Sequence, residues 1–382
     1  MELRKNMTII RKGKLLIVLW TLLLLAACTN GSQNGTGNAT ELIYDHSLAL
    51  SYAEQFSVDY YKEGYKTITI ADTDRYLIVP RGKSVPQNTQ GMIVIKEPVD
   101  NIYMVSSSAM DLVRAVNGLD RVKMTGTKEN DWYIEEIKTA MSRGDILYAG
   151  KYSAPDYEMV LANHCGLAVE NTMIYHKPEV KEKIEELGIP VLVEYSSMET
   201  HPLGRVEWIK LYGVLLDKEE EAEAYFNKEI NSLSGVIDRE KTDKTVVYFY
   251  ITASGSVNVR KSGDYVSKMI ELAGGRYLFD HLTDDNALST MNIQMEQFIE
   301  SAMEADYLVY NSSIDGKLSG MEDLLQKCPE LKNAKAVREK NVWCTEKNMF
   351  QETTGIAEMI LDFHYMMTGE DWNFKYMFRL ED

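Results

Sequence analysis

The sequence predicts an α/β protein of two lobes, each built on a mainly parallel β-sheet, joined by a single long helix. Apolar strand-like segments alternate with helical segments from residue 101 to about 195, which is typical of a buried parallel sheet. The same alternation begins again at Lys244. Between the two runs lies a strongly helical segment, Asp217 to Glu240.

This central segment has the features of a long helix with one apolar side. Asp217 and Glu220 have the spacing of a capping box, and acidic residues fill the first turn, where they oppose the helix dipole. Apolar residues recur at steps of three and four: Ala222, Tyr225, Phe226, Ile230, Leu233 and Ile237. At about 1.5 Å per residue the helix would span roughly 35 Å, enough to join two domains. The alternative is an ordinary surface helix inside one domain.

The first 27 residues have the pattern of an export signal. Basic residues precede an uncharged apolar run, Leu15 to Ala27. This run is too short for a membrane-spanning helix, which needs about 20 residues. The passage Leu25-Ala26-Ala27-Cys28 resembles the lipobox of bacterial lipoproteins, in which the signal is cut before a diacylated cysteine. A plain secretory signal is the alternative. Residues 28–40, rich in Gly, Asn, Ser and Thr, predict a flexible tether.

Charge and cysteine content limit the partners. Removal of residues 1–27 leaves 36 basic against 57 acidic residues, a net charge of −21. Such a surface repels phosphate backbones, so we expect no nucleic-acid partner, and lipid rather than a basic patch would anchor the protein. Cys165, Cys328 and Cys344 are widely spaced and fit no metal pattern, so we expect buried or half-buried thiols, with a disulfide as the alternative.

The remaining elements follow from apolar periodicity. Short β-rich segments with short connections predict an antiparallel meander at 56–61, 65–71, 75–80 and 92–99. In the first lobe, strands are predicted at 101–105, 122–125, 146–149, 167–169 and 190–195, and helices at 109–117, 132–141 and 181–187. In the second lobe, strands are predicted at 245–251, 307–310 and 341–345, and helices at 265–272, 295–303, 321–327 and 356–367. The predicted domains are 41–216 and 241–382, with the linker helix at 217–240.

Two passages resemble a motif that bacterial substrate-binding proteins for iron-siderophores, haem and cobalamin carry twice. Ala154-Pro155-Asp156-Tyr157-Glu158 opens a helix that leads to the strand at 166–169. Residues 292–298 followed by 305–309 repeat that order, with Glu296 in the first turn. Residues 199–210 and 270–276 also resemble passages of these proteins. The chain departs from the pattern at His164-Cys165-Gly166, where the family usually has Lys-Pro-Asp, and in its longer β-rich insert before residue 101.

The resemblance implies a lipid-anchored receptor outside the cytoplasm that serves an ABC permease and its ATPase. Its ligand would lie in the cleft between the lobes, and the stiff linker helix would allow only a small opening motion. In this family a glutamate on each lobe pairs with an arginine of the permease, which assigns that role to Glu158 and Glu296. The alternative is that both glutamates only complement helix dipoles. We expect a monomer with no catalytic residues.

Ligands of α/β folds bind at the carboxyl ends of strands. In several family members the residue six positions before the first-lobe glutamate touches ligand, which here is Tyr152. The candidates are Ser107, Ser108, Thr127, Lys128, Lys151, Tyr152, Asn171, Tyr175, His176, Arg260 and Phe350, with residues 252–256 and Asn311. An aromatic ring could stack on a corrin, porphyrin or catechol face, and Arg260 or Lys151 could pair with an anionic chelate. Each could equally serve only the core or the solvated surface.

The ligand implied is an iron chelate, a corrinoid or haem, with no resident cofactor. A receptor for bare zinc or manganese ions would need three or four converging His, Asp or Glu side chains, and the histidines show no local pairing. Haem requires only one axial donor, for which Tyr152, Tyr175 and His176 are available. An exported enzyme is the weaker alternative, because the sequence has no nucleophile elbow, zinc-protease motif or phosphate loop.

Overall fold

A computed structural model describes residues 41–237, 239–282 and 289–382. The predicted leader and the whole tether, including Cys28, lie outside these ranges. Residues 42–85 and 89–382 form one compact unit. Within the described ranges, no helix combines the length and apolar character needed to cross a bilayer.

An N-terminal sheet precedes the first lobe. Its strands are β1 (Tyr44–Ser47), β2 (Phe56–Tyr61), β3 (Lys66–Ile70), β4 (Asp74–Val79) and β5 (Ile93–Lys96), in that spatial order. The β1–β2, β2–β3 and β3–β4 pairs are antiparallel, as the predicted meander requires. The β4–β5 pair is parallel instead, because the connection over residues 80–92 carries the chain back along the sheet.

The first lobe is a parallel sheet with helices on its faces. Its strands are β6 (Ile102–Met104), β7 (Val122–Thr125), β8 (Leu147–Tyr148), β11 (Ala168–Asn171) and β12 (Val191–Glu194), with β9 (Gly150–Lys151) and β10 (Ala154–Pro155) forming a separate small hairpin. The order is β12-β11-β6-β7-β8, with every pair parallel. The helices are α1 (Ser107–Ala115), α2 (Glu135–Ser142), α3 (Tyr157–Ala162) and α4 (Pro178–Glu186). Apolar side chains on both sides of the strands are buried, so two core clusters form, one on each face.

Three consecutive helices connect the lobes: α5 (Pro202–Glu207), α6 (Ile209–Leu216) and the linker helix α7 (Glu219–Ile237). The predicted cap at Asp217 is wrong, because Asp217 ends α6 in a left-handed conformation with φ 55°. Its carboxylate lies 3.5 Å from the buried ammonium of Lys66, which is also 3.6 Å from Glu219. The acidic start of α7 therefore pairs with the N-terminal sheet rather than following the predicted capping box.

The apolar side of α7 is shifted slightly from the predicted one. Ala222, Phe226 and Leu233 are buried as expected, but Val236 is buried in place of Ile237, which is 39% exposed. Buried side chains also include Glu229, which interrupts the apolar stripe. The helix packs against α6 and against the C-terminal helix of the second lobe.

The second lobe has a mixed sheet. Its strands are β13 (Thr245–Ile251), β14 (Val257–Arg260), β15 (Arg276–Tyr277), β16 (Thr290–Ile293), β17 (Tyr307–Tyr310), β18 (Val342–Thr345) and β19 (Met377–Arg379). Its helices are α8 (Tyr265–Leu272), α9 (Met295–Ala302), α10 (Ser312–Asp315), α11 (Met321–Lys327), α12 (Lys335–Arg338) and α13 (Ile356–Thr368). The order is β16-β14-β13-β17-β18-β19, with β15 also beside β13. The centre is parallel, as predicted, and the edge strands are antiparallel.

Two buried glutamates attach the N-terminal segment to the first lobe. Glu207 accepts hydrogen bonds from the backbone N–H groups of residues 51–53 at 2.7–3.0 Å. Glu199 accepts from the N–H groups of residues 54 and 55 and from the indole N–H of Trp208. The passage 199–210 thus has a clear local role, since it fixes the N-terminal sheet to the helices that lead into the linker.

Candidate ligand cleft

A cavity of about 480 Å³ lies where the two lobes meet. The first lobe and its connection to the linker contribute Ser108, Ser197 and Arg205. The second lobe contributes Arg260, Asp264, Tyr265, Ser289, Ser313, Ile314, Met349, Phe350, Thr353 and Ile356. The wall therefore combines two guanidinium groups, one carboxylate, several hydroxyls and an apolar surface.

Arg260 ends strand β14 and is held from several sides. Its guanidinium carbon lies 5.5 Å and 5.6 Å from the ring centroids of Tyr248 and Phe350, and its Nη1 lies 3.5 Å from a carboxylate oxygen of Asp264. Its backbone is fixed by the hydroxyl of Tyr277, at 2.9 Å. Burial is the largest single effect and opposes the charge, but Asp264 together with the nearby tyrosines outweighs it, and the pKa of Arg260 rises above its ordinary value. Arg260 is therefore a pre-oriented permanent cation.

Arg205 supplies the second cation, from the first-lobe side. Its Nε donates to the backbone oxygen of Ser196 at 3.0 Å, and its guanidinium lies 3.7 Å from the ring centroid of Tyr265 in the second lobe. This cation–π contact joins the two lobes at the edge of the cavity. Burial raises the pKa of Tyr265, so its hydroxyl stays protonated and neutral.

Hydroxyl groups and apolar side chains complete the lining. Ser108 Oγ lies 3.0 Å from Ser106 Oγ, and Ser313 Oγ donates to the side chain of Asn311 at 2.7 Å. Ile314 is 67% exposed, although it is a large apolar residue. Cations, hydroxyls and exposed apolar surface in one cavity match a ligand that is both anionic and partly apolar.

The structure brings three sequence candidates, Ser108, Arg260 and Phe350, into this cavity. Ser107 begins α1 beside Ser108 and is half-buried. The other candidates lie at the ends of β9 and β11 or in the loops after β7, β9 and β11, and they are not among the residues that line the cavity: Thr127, Lys128, Lys151, Tyr152, Asn171, Tyr175 and His176.

Several of these side chains have local structural contacts. Lys128 lies 6.0 Å from the ring centroid of Tyr148, and Asn171 caps the turn at 172–176 by accepting from the backbone of Met173. The Tyr175 hydroxyl accepts from that of Tyr195. Thr252 bonds to Ser256 within its own turn. Asn311 is buried and caps α10.

The sequence reasoning missed Arg205, Ser197, Asp264 and Tyr265. Arg205 and Tyr265 lie in helices and Asp264 caps one, so the strand-end rule did not select them. Ser197 lies in the turn just after β12, where the same rule could have selected it. A signal was present for Arg205, because it lies in the passage 199–210 that already resembled a receptor family. Asp264 also had a recognisable signal, since it precedes an apolar helix and caps it by accepting from Val266 N–H.

The paired glutamates have matching positions. Glu158 is the second residue of α3 and Glu296 is the second residue of α9, and both side chains are exposed. In α3 the cap is supplied by Asp156, which accepts from Met159 N–H at 2.9 Å. Glu158 is therefore not needed as the cap and its carboxylate is available to solvent or to a partner.

The described residues contain no group of three or more His, Cys, Asp or Glu side chains placed to hold a metal ion. Cys165 is half-buried and Cys328 and Cys344 are buried, each as a free thiol. Burial raises the pKa of Cys165 and of Cys344 to about 11, which keeps both thiols protonated at neutral pH.

Comparison with known sequences gives relatives along most of the chain. The family model described as "Periplasmic binding protein" matches residues 105–348. An uncharacterized lipoprotein of Methanocaldococcus jannaschii is 26% identical over 353 residues, which cover 84% of this chain and 82% of the relative. A second lipoprotein of that organism is 24% identical and covers 86% of each chain.

Comparison with solved structures gives the same fold. The periplasmic haem-binding protein HutB of Vibrio cholerae superposes with a TM-score of 0.57 at 17% identity, covering 70% of this chain and 99% of that one. A protein of the Fe3+-hydroxamate transport system of Saccharomonospora viridis gives 0.52 at 19% identity, covering 72% and 94%. These identities support a shared fold. The sequence match, which spans most of the chain, shows more: this protein belongs to the periplasmic binding protein family, a family of substrate-binding proteins rather than enzymes.

Proposed function

We propose that this protein is the receptor of an ABC importer that captures an anionic iron chelate, such as an iron-siderophore, in the cavity between its lobes. One observation carries the proposal: Arg205, from the first-lobe side, and Arg260, from the second lobe, both line that cavity. A ligand that reaches both would bridge the lobes and favour their closed arrangement.

The chemistry of the lining suits a metal that arrives already chelated. A chelate brings its own donor atoms, so the protein needs to supply only opposite charge, hydrogen bonds and apolar contact. The two guanidinium groups can form paired hydrogen bonds to carboxylate or catecholate oxygens. Phe350 and Ile314 offer apolar surface for the organic part of such a ligand.

Haem is the second candidate, because proteins of this fold bind it and its propionates would also suit two arginines. An axial donor from the lining would fall to Met349, since Tyr265 lies against Arg205. The sulfur of Met349 already accepts from the Tyr248 hydroxyl at 3.8 Å. Because this sulfur already has a partner, haem is a weaker candidate than a chelate whose iron is already fully coordinated. A corrinoid needs no such donor and ranks between the two.

In this proposal a lipid on Cys28 holds the receptor at the outer side of the membrane, and Glu158 and Glu296 dock on arginines of the permease. Residues 41–216 and 241–382 act as the two domains, and the linker helix spaces one docking carboxylate per domain. The lipoprotein relatives support the anchor, and the matching helical positions of the two glutamates support the docking role.

Ligand titration tests the proposed function. We expect the full chain, purified in detergent, to bind at least one of four probes, namely a ferric catecholate, a ferric hydroxamate, cyanocobalamin and haemin, with a Kd of about 1 μM or below, measured by quenching of tryptophan fluorescence. Arg260→Met should weaken binding of an anionic probe about tenfold or more, because a charge-assisted contact is lost. Arg276→Met, at an exposed arginine on β15, is the matched control. Tight binding of zinc with no binding of any probe would replace this proposal with a bare-metal receptor.

Charge reversal at the two glutamates tests docking. The variant Glu158→Lys with Glu296→Lys should retain the ligand affinity of the parent protein, because both side chains are exposed on helices away from the cavity lining. Uptake of radiolabelled ligand by cells that carry the partner permease should fall to background. Glu300→Lys, at another exposed position of α9, should leave uptake unchanged. Loss of ligand affinity in the double variant would show that these glutamates act in binding instead.

A further inference from the structure

A buried carboxyl group at the end of β12 is connected to every residue that the first-lobe side contributes to the cavity. Glu194 is the last residue of this strand and is 1% exposed. We infer that Glu194 is the positioning residue of the first-lobe wall, which fixes Ser108, Ser197 and Arg205 for ligand without touching ligand itself. This inference rests on the proposed function of the cavity.

One connection runs from Glu194 through the start of α1. Ser106 Oγ donates to Glu194 Oε2 at 3.3 Å and lies 3.0 Å from the hydroxyl of Ser108, which lines the cavity. Ser106 also caps α1, since its Oγ accepts from Ala109 N–H. The carboxyl therefore restrains the hydroxyl that orients both the helix start and Ser108.

The other connection runs through the turn that follows β12. Ser196 N–H donates to Glu194 Oε1 at 3.0 Å, and the carbonyl of the same residue accepts from Arg205 Nε at 3.0 Å. Ser197, the next residue, lines the cavity. Ser196 thus donates to Glu194 and accepts from Arg205. The carboxyl therefore fixes the 196–198 turn, and this turn fixes the guanidinium of Arg205.

This restraint matters because Arg205 makes contacts in both lobes. Its guanidinium lies over the ring of Tyr265 in the second lobe, and a shift of the 196–198 turn would move it off that ring. Burial raises the pKa of Glu194, while Ser196, Arg205 and Ser106 act in the opposite direction. A group that is costly to bury and yet central to these bonds is typical of a site whose geometry must be held closely.

The neighbouring strand offers a matched comparison. Glu170 of β11 is also fully buried, but both of its carboxyl oxygens lack a hydrogen-bond partner among the described residues. In the parallel register Glu170 lies beside Val193, and Asn171 lies beside Glu194. Successive residues of a strand point to opposite faces, so the two glutamates lie on opposite faces of the sheet. Only Glu194 is linked to the cavity.

The test compares full-length Glu194→Ala, Glu194→Gln and Glu170→Gln in detergent, with a ferric catecholate as the probe. Glu194→Ala should weaken binding about tenfold or more, because it releases both hydrogen bonds of the carboxyl. Glu194→Gln should recover a substantial part of that loss, since its amide oxygen can still accept from Ser196 N–H. Glu170→Gln should bind as the parent does. In an Arg205→Met background, Glu194→Ala should reduce the binding affinity clearly less than it does in the parent protein, because the two positions are coupled.

Hydrogen exchange gives a readout that needs no ligand. In Glu194→Ala the amides of residues 107–109 and 196–198 should exchange faster than in the parent protein, and in Glu170→Gln they should not. If the parent binds none of the four probes, the proposed function fails, and the exchange result alone decides the role of Glu194. Parent-like affinity and parent-like exchange in Glu194→Ala, or full additivity with Arg205→Met, would overturn the inference.

Discussion

Replacing Asp111 by alanine is expected to lower the free energy of unfolding by about 3–5 kcal/mol, the usual cost of removing one partner of a buried charged pair. Asp111 lies in α1 and is fully buried. One of its oxygens accepts from Arg114 Nε and Nη2 at 2.9 and 2.7 Å. The other accepts from the backbone N–H and the hydroxyl of Thr354 at 2.8 and 2.7 Å. The variant leaves these donors without their acceptor.

The same contact joins the lobes next to the cavity. Thr354 belongs to the second-lobe segment 353–356, in which Thr353 and Ile356 line the cavity. Nearby, the Gln351 side chain accepts from Tyr133 N–H and donates to the carbonyl of Asp131, which adds two more hydrogen bonds between the lobes. Loss of Asp111 should therefore loosen the segment that carries part of the cavity lining.

Urea denaturation of the parent and variant proteins measures the Asp111 effect. Asp111→Asn should be less damaging than Asp111→Ala, because the amide keeps one acceptor for Thr354. Glu136→Ala is the matched control, since Glu136 contacts the same Arg114 at 3.2 Å from an exposed position and should change stability by no more than about 1 kcal/mol. A similarly small effect of Asp111→Ala would mean that the lobes are held together by other contacts.

The strands that the sequence predicted most closely are those buried on both faces. The boundaries at 245–251 and 307–310 agree with the structure because these runs are almost continuously apolar and are followed by polar residues. The boundaries at 122–125 also agree, although Lys123 interrupts that run. The two outermost strands on one side of the second-lobe sheet, β14 and β16, were missed. Their sequences, VNVR and TMNI, are short and half polar, and they become strands only by pairing with each other and with β13.

Local sequence also misled where a tertiary contact competed with it. Asp217 and Glu220 have capping-box spacing, but Asp217 takes a left-handed conformation at the end of α6 and pairs with Lys66 from the N-terminal sheet. Lys66 precedes Asp217 by 151 residues in the sequence. No pattern within one helix could have revealed that partner.

The candidate site was only partly predictable for a related reason. The strand-end rule found Ser108, because it follows the predicted strand at 101–105. Arg260 was also selected, although β14, the strand that it ends, was not predicted. Arg205 and Tyr265 belong to helices of different lobes, and they meet only because the linker helix sets the lobes at this distance. Their juxtaposition depends on the relative placement of two sheets, which periodicity does not encode.

Glu170 is expected to make the protein less stable as pH rises from about 5 to 9. Burial raises the pKa of this carboxyl to about 8, and neither oxygen has a hydrogen-bond partner in the described part of the chain. Between the pKa of an unfolded glutamate, about 4.3, and the folded value, the folded state holds a proton that the unfolded state has lost. The contribution of Glu170 to the free energy of unfolding is therefore largest at low pH, and it falls by about 1.4 kcal/mol per pH unit until pH 8.

The variant Glu170→Gln isolates this effect, because an amide of similar shape does not titrate. When the stability curves of the two proteins are aligned at pH 5, the free energy of unfolding of Glu170→Gln should exceed that of the parent by about 4 kcal/mol at pH 9. Urea denaturation at each pH measures both curves. Other titrating groups are shared and cancel in the difference. Glu179→Gln, at an exposed position of α4, should show no such divergence. Parallel stability curves for the parent and Glu170→Gln would mean that the carboxyl gains a compensating partner in solution. A divergence of the expected size would instead show that the first-lobe sheet carries an uncharged carboxylic acid at neutral pH, on the face opposite Glu194.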